Sequence, residues 1–68
     1  MEYRVFVQYE GLSPPKWIDE YLKDNFGTFG EKWWAQCVTD NWDSNTNCYY
    51  FDTKEQADKF EFIYRLAK

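Results

Sequence analysis

The hydrophobic period of the chain switches repeatedly, and that switching limits what it can fold into. Through Tyr3–Tyr9 ("YRVFVQY") β-branched and aromatic residues alternate with polar ones, the pattern of a strand with one buried face. Beyond "EGLSPP" the spacing changes. Trp17, Ile18, Tyr21 and Leu22 recur at i, i+1, i+4 and i+5, which is one face of a helix. Trp33–Asp40 reads as a strand again. "DNWDSNTN" is dense in Asp, Asn and Ser, whose side chains bond their own backbone in turns. "CYYF" forms a third strand. Ala57, Phe60, Ile63, Tyr64 and Ala67 then share one helical face.

Boundary residues agree with this order. Ser13 reads as a helix N-cap with Pro14 at the first helical position. Gly27 reads as a left-handed C-cap. Thr53 and Gln56 have the spacing of a capping box. Asp19 with Lys23, Glu55 with Lys59 and Glu61 with Arg65 stand four apart, as helix-surface ion pairs do.

The element order is therefore β-α-β-β-α, and residues 1–68 form one α+β domain. A right-handed crossover makes strand 2 parallel to strand 1, and the hairpin makes strand 3 antiparallel to strand 2. The expected architecture is a three-stranded mixed sheet in the order 1-3-2, with both helices on one face. That is a split β-α-β unit, a ferredoxin-like half lacking its final strand.

Strand alternation assigns the faces. Tyr3, Val5, Val7 and Tyr9 are more apolar than Arg4, Phe6 and Gln8, so they face the helices. Phe51 precedes the second helix and takes Tyr49 inward with it. In strand 2, burying Trp33, Ala35, Cys37 and Thr39 avoids burying Gln36. The uncovered face then carries Arg4, Phe6 and Gln8 beside Trp34, Gln36 and Val38, with Cys48 and Tyr50 between them. It holds no acid and no Lys. Phe62 and Leu66 lie off the main stripe of helix 2 and are read as widening its buried side, with an addition to a contact surface as the alternative.

The chain needs rings to be stable. A domain of about 60 residues buries only about 60% of its unfolded surface. Here 24% of residues are aromatic, and each buried ring removes about 150–250 Å² from water. So many rings exceed what a small core can enclose, and exposed aromatic area marks a partner surface.

Several function classes fall away. There is no His, so a catalytic triad, a His general base and a His metal site are excluded. "FGTFG" is not a phosphate loop. The carboxylates Asp40, Asp43 and Asp52 near the hairpin lack the deep cleft that paired-acid chemistry needs. Asp43, Asn45 and Asn47 have calcium-loop spacing, but Cys48 and Lys54 replace the required Gly and Glu. Cys37 and Cys48 point to opposite faces by alternation and do not bridge. No cofactor or metal is expected.

The net charge is −4, which disfavours nonspecific binding of nucleic acid. Met1 leads straight into the first strand without a signal peptide, and no apolar run is long enough to span a membrane. The expected setting is the cytoplasm, without membrane association.

These readings converge on a noncatalytic protein-interaction module, a small acidic adaptor or regulator of the accessory kind that phages encode. Its expected contact residues are Arg4, Phe6, Gln8, Trp34, Gln36, Val38 and Tyr50, and its partner is another protein or a second copy in a homodimer. The alternative is single-stranded nucleic-acid binding by base stacking on the sheet rings, as RNA-recognition domains do. The "K/R-G-F/Y-G/A-F-V-x-F/Y" run of those domains is absent.

Overall fold

The computed structural model describes residues 2–39 and 44–67. Along the chain it contains β1 (Tyr3–Glu10), α1 (Lys16–Phe26), β2 (Trp33–Thr39), β3 (Ser44–Phe51) and α2 (Lys54–Ala67). The strand order is β1-β3-β2. Both ladders are antiparallel, so β1 and β2 run parallel only at one remove, across β3. The sheet is therefore antiparallel in its pairing rather than mixed. The hairpin residues Asp40–Asp43, with the carboxylates of Asp40 and Asp43 and the ring of Trp42, lie outside the described residues.

The core follows the alternation. Val5, Val7, Trp33, Tyr49 and Phe51 are buried against Ile18, Leu22 and Phe26 of α1 and Ala57 and Phe60 of α2. Phe60 is central: its ring lies 5.3 Å from that of Tyr49 and 5.5 Å from that of Phe51. Phe26 meets Phe51 edge-on at 5.5 Å. Such ring pairs add about 0.5–1.5 kcal/mol each beyond area burial. That gain matters in a domain this small.

Polar groups are also buried. Asn45 and Asn47 face the helix layer from β3. Asn45 Nδ2 donates to the Gly11 carbonyl at 2.6 Å, and the Tyr9 hydroxyl donates to Asn47 Oδ1 at 3.0 Å. These bonds correct the expected start of the third strand. Ser44–Asn47, read as turn, belongs to β3, because side-chain bonds satisfy the two Asn amides inside the sheet. Tyr49 is fully buried, and its hydroxyl has no hydrogen-bond partner among the described residues. Burial pushes its pKa up to about 12. Asn47 lies near enough to ease that rise, but no bond closes in good geometry.

The start of helix 1 also differs from expectation. α1 begins at Lys16 with Pro15 as its N-cap and no capping side-chain bond. Pro14 cannot occupy the first helical position because a residue before proline is pushed out of the α region, and Pro15 follows it. Ser13 is consequently too early to cap. At the other end Gly27 has φ 101 and ψ −155, a positive-φ cap that is not left-handed helical, and its N–H bonds the Leu22 carbonyl.

In α2, Thr53 Oγ1 accepts from the Gln56 N–H at 3.1 Å. Gln56 Oε1 is buried without a partner among the described residues, so only half the capping box forms. Among the described residues Glu61 pairs with Arg65 at 3.4 Å, while the other pair runs from Lys54 to Asp58 at 3.0 Å. Neither expected pair, Asp19–Lys23 or Glu55–Lys59, closes there. Phe62 and Leu66 are 63% and 68% exposed, so they do not widen the buried face. The stripe through Ala57, Phe60 and Tyr64 already meets the sheet, and both positions fall outside it.

Candidate functional site

The register assembles the uncovered face in rows. Arg4 pairs with Tyr50, and Tyr50 with Trp34. Phe6 pairs with Cys48, and Cys48 with Gln36. Gln8 pairs with Thr46, and Thr46 with Thr39. Six of the seven expected contact residues therefore share these rows. The seventh, Val38, is the extra residue of a register shift between Cys37 and Thr39. A bulge of this kind leaves one residue unpaired and bends the strand. Thr39 takes the ladder position expected for Val38, and the Thr39 hydroxyl accepts from the Thr46 N–H at 2.9 Å.

Two further differences concern the face itself. β1 runs one residue longer than expected, so Glu10 stands at the corner, opposite Ser44. The rows from Arg4 to Gln8 remain free of acids. Cys48, expected to look outward, does lie on this face but is 1% exposed. A short side chain between Phe6 and Gln36 is covered by its neighbours.

The rings differ in their surroundings. Phe6 is 56% exposed and Trp34 is 47% exposed. The Tyr50 hydroxyl donates to Gln36 Oε1 at 3.4 Å. Hydrogen bonding with Cys48 chiefly raises the Tyr50 pKa, and the Arg4 charge opposes that rise. Tyr50 is thus a neutral donor near pH 7.

Phe29 was not singled out by the sequence pattern. It stacks on Trp34 with centroids 4.9 Å apart and meets Trp33 edge-on at 5.0 Å. One loop ring therefore touches both members of the tryptophan pair from the side of β2. The loop reaches this position through glycine: Gly27 and Gly30 have φ of 101 and 90, where other residues are strained. The Gly30 N–H bonds the Trp33 carbonyl at 2.7 Å, and Trp33 Nε1 donates to the Gly27 carbonyl at 2.9 Å. The available signal was a bulky ring between two glycines just ahead of "WW".

Cys37 and Cys48 are both free thiols, the first exposed and the second buried. Cys37 lies opposite Asn47, not Cys48, so the two cysteines keep to opposite faces, but Cys37, expected in the buried set of strand 2, is exposed at the edge strand beside the register shift. Among the described residues no cluster of three His, Cys, Asp or Glu side chains forms, and no helix is long and apolar enough to cross a membrane. No protein-family model, curated protein or solved structure matches this chain.

Proposed function

We propose that the chain is a noncatalytic interaction module that engages a protein partner, or a second copy of itself, through the open face of its sheet. The observation that carries this reading is the row Arg4–Tyr50–Trp34, with Phe6 exposed beside it. Rings and Arg are enriched in interface cores, while Lys, Glu and Asp are depleted there. Trp34 is the anchor. Phe29 already restrains its ring, so binding orders little that is mobile. Arg4 supplies a polar contact next to it. In this reading the chain works in the cytoplasm, where its two thiols stay reduced.

The test is capture of the partner by the intact chain, with Trp34→Ala as control. Trp34→Ala is expected to keep its circular dichroism and lose the partner. Unchanged capture would remove the open face from consideration. Saturable quenching of tryptophan fluorescence by single-stranded oligonucleotides, weakening as salt rises, would replace this reading with base stacking.

A further inference from the structure

The two edges of this sheet are guarded unequally. On the outer edge of β1 both backbone groups of Gln8 are occupied. Its N–H donates to the Tyr64 hydroxyl at 3.3 Å, and that hydroxyl donates to its carbonyl at 3.2 Å. A side chain from α2 thus sits where a fourth strand would bond.

The alternation carries across to the other edge. In an antiparallel ladder a residue turns both its N–H and its C=O to the same side. Gln8 faces outward, so the odd residues of β1 bond β3 and the even residues of β3 turn toward β2. The Thr46 N–H, aimed at Thr39, agrees. Trp34 and Gln36 therefore bond β3, while Trp33, Ala35 and Cys37 turn their backbone groups away from it. The Trp33 carbonyl is taken by Gly30. No hydrogen bond among the described residues reaches the outward backbone groups of Ala35 or Cys37.

The open stretch is bounded by the Phe29–Gly30 loop at one end and the register shift beyond Cys37 at the other, and its middle residue is Gln36. β2 holds no charged residue, although charge commonly guards natural strand edges. Laid antiparallel on itself about Gln36, the stretch is self-complementary. Gln36 meets Gln36 of the second copy and Ala35 meets Cys37, so the unbonded N–H and C=O groups of each copy face those of the other.

We propose that two copies of this chain pair antiparallel along the β2 edge, centred on Gln36, and join their sheets. This goes beyond the open-face reading above, because it rests on the β2 edge and not on the row from Arg4 to Trp34. Cys37 stands on the opposite face, so its variants separate the two.

The experiment is light scattering coupled to size exclusion over a wide concentration range, on the whole chain and on two variants. The parent chain is expected to approach twice 8.4 kDa as concentration rises. Cys37→Lys, which brings charge to the edge at an exposed position, is expected to stay monomeric with unchanged circular dichroism. Gln36→Cys in a background of Cys37→Ser and Cys48→Ala, which removes the thiol opposite position 36 within the same chain, is expected to give a disulfide-linked dimer on mild oxidation. Directly opposed residues of a non-hydrogen-bonded pair have Cα atoms about 4.5 Å apart, within disulfide reach. A parent chain that stays monomeric, a Cys37→Lys variant that still dimerises, or a Gln36→Cys variant that does not cross-link overturns the proposal. Each of those outcomes leaves capture of a different protein through Trp34 untouched.

Discussion

Phe29 lies flat against Trp34, 4.9 Å between ring centres, while its edge meets the buried Trp33. The loop ring therefore ties the inward and outward tryptophans of β2 together. Removing each ring has a different expected consequence. Trp33→Ala is expected to cost about 3–5 kcal/mol, because a fully buried ring leaves a cavity. Phe29→Ala is expected to cost only about 0.5–1.5 kcal/mol, the range for an aromatic pair. Urea denaturation of the two variants checks the ranking, and equal midpoints would refute it.

Tyr49→Phe is expected to leave stability unchanged or raise it by about 1 kcal/mol, since it removes a buried hydroxyl without a bonding partner. The same variant tests the raised pKa. A phenol that ionises near 10 when unfolded and near 12 when folded leaves stability at its full value below pH 10, because burial penalises only the ionised form. Stability then falls as pH climbs from 10 to 12, where the unfolded chain gives up a proton that the folded chain retains. The parent chain should therefore lose more stability across this window than Tyr49→Phe. Parallel slopes in alkaline denaturation would contradict it.

Tyr64→Phe keeps the ring and removes the hydroxyl that holds both backbone groups of Gln8. The expected loss is about 1 kcal/mol. Amide exchange gives the sharper readout: the Gln8 N–H should exchange faster while the Val7 N–H, bonded within the sheet, keeps its protection.

Asn45→Ala removes the amide that donates to the Gly11 carbonyl. Asn45 is 3% exposed while Gly11 is half-buried, so losing this bond costs about 0.5–1.5 kcal/mol. A thermal melt shows the loss. A change below about 0.5 kcal/mol, typical of surface substitutions, would mean that the bond contributes nothing.

The element order, the central place of β3 and the buried residues Val5, Val7, Trp33, Tyr49 and Phe51 were legible because alternation and helical spacing are local properties, whereas Tyr3, Cys37 and Thr39, expected to face inward, are exposed. The tryptophan pair shows how far that reaches: period two puts Trp33 and Trp34 on opposite faces, and only the cost of burying Gln36 marks Trp33 as the inner one. What sequence could not supply depends on contacts distant in the chain. Asn45 and Asn47 look like turn residues until Gly11 and Tyr9 are brought beside them. Val38 looks like a ladder residue until the register shifts at Cys37. Phe29 looks like loop until two glycines turn it onto β2. The displaced start of α1 was readable after all, since Pro15 forbids helical geometry at Pro14. For the open face, the co-facial set from Arg4 to Trp34 followed from parity, whereas the burial of Cys48 required knowing which side chains flank it.

That last point gives the chain a built-in clock. Cys37 stands in solvent, and Cys48 is sealed between Phe6 and Gln36 on the same sheet. A thiol reagent added to the native protein should modify Cys37 at once. It should reach Cys48 only as fast as the roof over that residue lifts. The lag between the two modifications, followed by mass, measures how often the outer surface of the sheet opens, with no substitution introduced.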